Sequence, residues 1–178
     1  MLKNLILFVI LLFLFSTNGT AQKNRIVSTY LSIQYNNTIT DQTLLNNPWA
    51  IGLGLQAYYN NRIKFKPIID VTADIYFSSY KILYQYNDGT IINPVEGIIN
   101  IFFGSSFQVN KNIFFSVVGG PSFINSKTSF GIKPSACFYL SKTQKISTKL
   151  SYINIFKRDN LIREDFSSIS VAVAIKLF

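Results

Sequence analysis

Five charged residues fall on the polar face of predicted strands, and their types limit the chemistry open to this chain. They are Asp70, Asp74, Lys133, Lys149 and Lys176. Because side chains alternate between the two faces of a strand, a closed barrel would point all five into its lumen. Carboxylates and ammonium groups held there must pair, since an unpaired buried charge is costly. We interpret them as a structural polar plug, and a narrow ion or proton path is the alternative.

The composition argues against catalysis. The sequence contains no histidine, the usual general base near neutral pH, so only an Asp-based or Lys-based site would remain for an enzyme. Cys137 is the only cysteine and excludes an intrachain disulfide. We interpret it as a small buried apolar residue, with a reactive or intermolecular thiol as the alternative. We therefore predict no enzymatic activity, no cofactor and no metal site.

The stretch from Ser167 to Phe178 shows most clearly which element positions these charges. Its apolar residues alternate strictly with small or polar ones. The apolar face consists of Ile169, Val171, Val173, Ile175 and Leu177, and the other face of Ser168, Ser170, Ala172, Ala174 and Lys176. A strand that faces lipid on one side and a narrow lumen on the other requires this pattern.

The same alternation recurs along the chain and predicts an all-β fold, an eight-stranded antiparallel transmembrane up-and-down barrel. Eight strands of about ten residues use about 80 residues, and an even number puts both ends on the periplasmic side. We expect polar loops at 36–47 and 125–129. The predicted strands are Arg25 to Tyr35, Trp49 to Tyr59, Lys64 to Ser78, Gly97 to Val109, Ile113 to Ile124, Phe130 to Leu140, Ile146 to Asn154 and Ser167 to Phe178.

Prolines and aromatic residues add two expectations to this barrel. Pro67, Pro121 and Pro134 fall inside predicted strands, cannot donate to a ladder and have no sheet edge to occupy. We expect a β-bulge at each of them. Trp49, Tyr58 and Tyr59 are interpreted as anchors at the membrane interface rather than as a ligand platform.

A tyrosine-rich hairpin is the predicted contact surface. Tyr80, Tyr84 and Tyr86 precede the turn signal Asn87-Asp88-Gly89, and the hairpin is longer than a membrane crossing requires. An exposed edge can add a strand from a partner, and tyrosine is enriched at binding hot spots. The alternative is a stiff outer loop without a partner.

The N-terminus resembles a secretory signal peptide. Lys3 is followed by an apolar run from Leu5 to Phe15 and then by small residues, so we expect cleavage after Ala21. This divides the chain into a signal peptide, 1–21, and a barrel, 22–178. The formal net charge of +9 could indicate nucleic acid, but export makes lipid headgroups the simpler counterpart. The expected partners are outer-membrane lipids with lipopolysaccharide, the barrel-assembly machinery and a surface or envelope protein.

The C-terminal half resembles a known family, the small PorT-like outer-membrane barrels of Bacteroidota-type bacteria. The resemblance rests on the run from Phe107 to Phe115, the step Gly119-Gly120-Pro121-Ser122-Phe123, the run from Lys149 to Ile155 and the aromatic terminus Phe178. Such barrels commonly carry an aromatic residue two positions before the terminal Phe, where this chain has Lys176. The resemblance implies location, architecture and an assembly signal at Phe178, and it implies no catalytic residues.

These observations predict an integral barrel of the bacterial outer membrane with a packed lumen and a structural or interaction role. The first alternative is a narrow channel for ions or small solutes. The second is a secreted, soluble, lipocalin-like protein that binds an apolar ligand. That protein would need the apolar faces to point inward and the Lys and Asp residues to point outward.

Overall fold

The computed structural model describes residues 26–39, 46–60, 64–78, 84–85, 91–92, 95–124, 127–141, 143–156 and 165–177. The predicted signal peptide, its cleavage after Ala21 and the assembly signal at Phe178 lie outside these residues and stay predictions. No helix among the described residues is long and apolar enough to cross a membrane.

Eight long strands close into an antiparallel barrel, as the alternation predicts. Their order around the barrel is β1-β10-β9-β8-β7-β6-β3-β2, and the two-residue strands β4 and β5 pair with each other outside it. The strands are β1 (Val27–Thr38), β2 (Asn46–Tyr59), β3 (Phe65–Ser78), β4 (Tyr84–Gln85), β5 (Ile91–Ile92), β6 (Gly97–Gln108), β7 (Ile113–Ile124), β8 (Lys127–Tyr139), β9 (Ile146–Ile155) and β10 (Phe166–Lys176).

The register fixes the stagger of the barrel. Following paired residues once around from Lys176 leads back to β10 at Phe166, a stagger of 176 − 166 = 10 residues. Ten residues over eight strands corresponds to a strand tilt of about 40°. Phe102 and Gly120 lie in a gap of the β6–β7 ladder, and they are matched by the common register of the pairs on either side of that gap. The trace runs through Lys176, Tyr30, Gln56, Asp70, Phe102, Gly120, Gly131, Ile155 and Phe166.

The two ends of the barrel differ in their connections. At the end where β1 begins and β10 ends, here the terminal end, strands are joined by 60–64, 109–112 and 140–145. At the opposite end, here the outer end, the connections 39–45, 79–96 and 156–165 are longer, and 125–126 is short. Short turns at one end and longer loops at the other are the pattern that outer-membrane barrels show on their periplasmic and extracellular sides, respectively.

The barrel exterior is apolar and the interior is polar. On β10, Val171, Val173 and Ile175 are 47%, 50% and 57% exposed, whereas Ser170, Ala172 and Ala174 between them are at most 3% exposed. All eight strands alternate in this sense. A soluble binder of an apolar ligand needs the reverse arrangement, so the lipocalin-like alternative is wrong.

Aromatic side chains mark the two borders of the apolar exterior. Tyr35, Trp49 and Phe77 stack near the outer end, with ring centroids 6.4 Å and 5.0 Å apart. Phe65 and Phe107 pack 4.9 Å apart near the terminal end. Such girdles flank an apolar band about 25 Å tall in outer-membrane barrels. The structure corrects the interpretation of Tyr58, because this residue is 5% exposed and points into the lumen.

Several predicted strand ends are wrong by a few residues. The predicted loop 36–47 includes the last residues of β1, which ends at Thr38, and the first of β2, which begins at Asn46. The predicted loop 125–129 includes the start of β8 at Lys127. The outer ends of these strands are polar, so hydrophobic alternation does not mark them.

The expectation of bulges at Pro67, Pro121 and Pro134 is also wrong. Pro121 pairs with Phe130, and Pro134 with Val117, in one unbroken β7–β8 register. On the other side of Pro121, the β6–β7 ladder has no pairs between 101–102 and 120–121. On the other side of Pro134, the β8–β9 ladder has no pairs between 133–134 and 152–153.

Each of these two prolines therefore faces a short gap in the ladder on the side where a donor would be needed. Pro67 lies just beyond the last pair of the β2–β3 ladder, Tyr58 with Ile68. The register shift of the barrel lies between Asn46 and Ala50, around Pro48, which the sequence analysis did not single out.

Candidate functional site

A buried ionic cluster occupies the middle of the lumen. Asp70 on β3 accepts from Lys149 on β9 at 2.7 Å and pairs with Lys133 on β8 at 3.3 Å. The three side chains are at most 4% exposed. Gln56 on β2 also donates to Asp70, at 3.4 Å. One carboxylate thus connects β3 to three other strands, β2, β8 and β9.

Asp74 is held by neutral amides rather than by a lysine. Gln34 and Asn36, two residues apart on β1, both donate to its Oδ1 atom, Asn36 at 2.6 Å. These residues belong to strands that flank β2, so the bonds pass over that strand at Gly52, which pairs with both Gln34 and Asp74. A Cβ at position 52 would collide with Asp74 Oδ1 and lie 2.8 Å from the Ala73 carbonyl oxygen. Glycine is therefore required there to bring β1 and β3 into contact.

The buried charges in the described lumen balance. Asp70 and Asp74 supply two negative charges, and Lys133 and Lys149 supply two positive ones. Asp70 is paired with both lysines, and Asp74 accepts hydrogen bonds from two amides, so each of the two carboxylates has partners. The hydrogen bonds and ion pairs of this set can lock five strands together, β1, β2, β3, β8 and β9. Among the described residues no group of three or more His, Cys, Asp or Glu side chains could hold a metal ion.

Hydroxyl and amide groups extend the polar band around the barrel wall. Asn100 bridges Thr72 at 3.1 Å and Ser122 at 2.7 Å, which links β3, β6 and β7. Ser135 donates to Ser151 at 2.9 Å across β8 and β9. On the β1–β10 seam, five buried oxygen atoms have no protein partner among the described residues. They belong to Ser32, Gln34, Asn36, Ser168 and Ser170.

Apolar side chains close the lumen on the outer side of this band. The cluster, here the outer layer, is 7% exposed or less in every member. Tyr76 and Phe166 form its centre, with an edge-to-face contact at 5.8 Å. The outer layer consists of Ala50, Tyr76, Val95, Ile98, Ile124, Ile153, Ile155 and Phe166.

Aromatic rings close the lumen on the terminal side. Tyr58 contacts Tyr30 at 5.5 Å and Phe114 at 5.8 Å, and Phe114 contacts Tyr139 at 4.9 Å. These four rings, here the terminal layer, lie between the Asp70 cluster and the terminal end. Cys137 is 1% exposed and packs in the same apolar cluster.

Lys176 does not belong to the Asp70 cluster, which corrects its predicted grouping with the other four charges. It is the last residue of β10 and pairs with Tyr30. There it lines a cavity of about 230 Å³ at the terminal end, on the far side of the terminal layer from Asp70. Gln34, Asn36 and Gln56 are further members of the polar lumen that were not predicted from the sequence. Their signal was present, because these amides alternate with apolar residues on β1 and β2.

The tyrosine-rich hairpin is described only in part. Tyr84–Gln85 pairs with Ile91–Ile92 in the connection between β3 and β6, at the outer end. Tyr80 and Tyr86 lie outside the described residues, as does the side chain of Tyr84. The contact role of these three tyrosines stays a prediction.

Comparison with known proteins shows the fold and leaves the family open. No protein-family model matches the chain, and no curated protein matches it either. The PorT-like resemblance therefore stays a prediction.

Solved structures of small outer-membrane barrels match along most of the chain. The Yersinia pestis outer membrane protein Ail in a phospholipid bilayer nanodisc is 15% identical, with a TM-score of 0.55 over 84% of this chain and 98% of that one. Ail in complex with the heparin analogue sucrose octasulfate is 10% identical, with a TM-score of 0.53 over 84% and 97%. Neisserial surface protein A is 9% identical, with a TM-score of 0.51 over 85% and 97%. The chain has the architecture of an eight-stranded barrel of the bacterial outer membrane.

Proposed function

We propose that this protein is a non-conducting outer-membrane barrel that presents its outer connections to a partner at the cell surface or within an envelope complex. The observation that carries this proposal is the closed lumen. The terminal layer and the outer layer enclose a polar band whose charges balance. A lumen filled in this way serves rigidity.

The outer end is the side we assign to partner contact. The connection 79–96 is the longest in the barrel, and its β4–β5 pair lies outside the barrel sheet. Three tyrosines and several aliphatic residues make it more apolar than a solvated loop requires. Ail, which shares this fold, is named for attachment and invasion, and one of its structures contains a heparin analogue. That likeness motivates a test of surface binding and supplies no ligand for this chain.

Replacement of Tyr80, Tyr84 and Tyr86 by serine is expected to reduce partner binding without affecting the fold, since hot-spot tyrosines dominate binding energy. The measurement is cross-linking in intact outer membranes, scored as the yield of partner adducts. The matched control replaces Gln85, Asn87 and Thr90 by serine in the same connection. Equal adduct yields for wild type and the tyrosine variant would reject the hairpin as the contact surface.

Planar bilayers separate this proposal from the narrow-channel alternative. We expect no discrete openings from the wild-type protein, because a continuous path must pass both layers. The unpartnered oxygen atoms on β1 and β10 offer the most polar route for an ion through the lumen. That route is blocked by the buried rings of Tyr30 in the terminal layer and Phe166 in the outer layer.

The matched variants thin one layer or both. Tyr30→Ala with Tyr58→Ala thins the terminal layer, and Tyr76→Ala with Phe166→Ala thins the outer layer. Each pair alone is expected to stay silent, while the four together are expected to give openings. Regular openings of the wild-type protein would instead establish a channel.

A further inference from the structure

The terminal end has a polar cup that no part of the proposed surface role uses. Its volume of about 230 Å³ is room for roughly eight water molecules. The rings of Tyr30, Tyr58, Phe114 and Tyr139 border its inner side and separate it from the Asp70 cluster. The remaining lining residues are Ser28, Asn60, Lys66, Ser106, Gln108, Gln144 and Lys176.

The lining of the cup is chemically one-sided. Two lysines, three amide side chains and two serine hydroxyls belong to it, and no Asp or Glu is among the described lining residues. The Ser106 hydroxyl donates to the Lys66 carbonyl oxygen at 3.3 Å and the Asn60 amide donates to the Ser28 hydroxyl at 2.8 Å, so the two lysines are the main groups that could bind an anion. Gln144 is held in place by two bonds: its side-chain Nε2 donates to the Lys111 backbone carbonyl at 3.0 Å, and its backbone carbonyl accepts from the Tyr30 hydroxyl at 3.3 Å. The lining of the cup comes from seven strands and two turns.

Basic residues are concentrated in the parts of the sequence next to the terminal ends of the strands. The segments that flank or connect strands at the terminal end are 22–26, 60–66, 109–112, 140–145 and 176–178, and they contain nine Lys or Arg and no Asp or Glu. Of the acidic residues that the structure describes, Asp70 and Asp74 lie deeper in the lumen and Glu96 and Asp165 lie at the outer end. The outer connections contain both signs, four Lys or Arg and six Asp or Glu.

We propose that this cup binds a phosphate group on the periplasmic side of the membrane. Lysine binds phosphate as a point charge, and an amide side chain of the lining, with two N–H donors, can donate to a further phosphate oxygen. The aromatic floor can contact the organic substituent of a small phosphate ester. The surrounding lysines attract anions to the cup by long-range electrostatics. This site goes beyond the proposed surface role and does not depend on it.

The probe for a first test is glycerol 3-phosphate, titrated into protein folded in an uncharged detergent at fixed ionic strength. We expect saturable binding with amide NMR shifts at Gln144 and Lys176. Lys66→Gln with Lys176→Gln should weaken binding about tenfold or more, since two charge-assisted hydrogen bonds are lost. The matched control, Lys111→Gln with Lys145→Gln, removes the same charge from the rim and should change affinity by less than about twofold.

Two sources of the phosphate are distinguished in nanodiscs. If an anionic phospholipid headgroup occupies the cup, phosphatidylglycerol nanodiscs will shift Gln144 and Lys176 without added ligand and will block the titration. If the ligand is soluble, the titration will proceed equally in phosphatidylglycerol and phosphatidylcholine. Both results support the binding of a phosphate group in the cup.

Absence of saturable binding by the wild-type protein would overturn the proposal, as would equal weakening by the cup pair and the rim pair. The second result would show diffuse attraction to a basic surface. Gel mobility with and without heating reports folding of every variant, and the single variants Lys66→Gln and Lys176→Gln decide the matter if the double variant fails to fold.

Discussion

Replacement of Asp70 by alanine is expected to destabilise the barrel by about 3–5 kcal/mol, the cost of breaking a buried ion pair from one side. Asp70 is the shared acceptor of Lys133 and Lys149, both nearly fully buried. Its removal leaves the ammonium groups of Lys133 and Lys149 in the lumen without their shared acceptor. Asp74 is then the remaining buried carboxylate among the described residues. Asp74 is already bonded to two amides on β1. Urea unfolding in lipid vesicles, followed by fluorescence of Trp49, measures the change.

A lumen without the three charges of the Asp70 cluster is the control that separates broken pairing from general disruption. Asp70→Asn combined with Lys133→Met and Lys149→Met removes both ammonium groups together with the carboxylate. We expect this triple variant to recover most of the lost stability, because apolar side chains of similar volume often replace buried ion pairs at little cost. If Asp70→Ala costs less than about 1 kcal/mol, or the triple variant is no more stable than the single one, the cluster does not hold the strands together.

The faces of the strands could be predicted from the sequence because alternation is a local property. In β10, Val171, Val173 and Ile175 each have small or polar neighbours, so one strand alone identifies the lipid-facing side. The inward direction of Asp70, Asp74, Lys133 and Lys149 follows from the same rule. A narrow barrel then requires that these charges pair, without indicating how.

The choice of partners could not be predicted, because it depends on the stagger of the closed barrel. A stagger of ten residues raises each strand relative to its neighbour, and it is set by all eight ladders together. This stagger places Lys149 and Lys133 at the level of Asp70 and leaves Lys176 at the terminal end. It also brings Gln34 and Asn36 within reach of Asp74 over an intervening strand. None of these distances is present in the pattern of a single strand.

Proline behaved differently from expectation for a related reason. A proline lacks one donor, and a strand inside a barrel has two neighbours, so the defect concerns one ladder only. Pro134 keeps its pairing with Val117 on β7 and leaves a gap toward β9. The expectation of a bulge assumed that a proline disturbs both ladders of its strand. A closed sheet with long strands tolerates short gaps because the pairs beyond them keep the register.

Gly52→Ala is the second substitution expected to have a large effect, a loss of roughly 2–4 kcal/mol from overpacking and from broken hydrogen bonds at a buried carboxylate. The new methyl group would occupy the position of Asp74 Oδ1 and approach the Ala73 carbonyl oxygen at 2.8 Å. Asp74 would have to move away from Gln34 and Asn36. Urea unfolding, followed by Trp49 fluorescence, gives the change in stability.

Gly97→Ala is the matched control, because Gly97 lies beside the same strand and its added Cβ would be 3.4 Å from the Asp74 backbone oxygen, an ordinary contact. Both substitutions restrict the unfolded chain equally, so their difference isolates the collision. In an Asp74→Ala background the carboxylate is gone, and Gly52→Ala should then cost much less, with only the Ala73 carbonyl in its way. Additive losses of stability from Gly52→Ala and Asp74→Ala would mean that Gly52 matters for β2 itself and not for the hydrogen bonds between β1 and β3. Strong coupling would show that a residue without a side chain joins β1 to β3, because it leaves room for their side chains to bond over the strand between them.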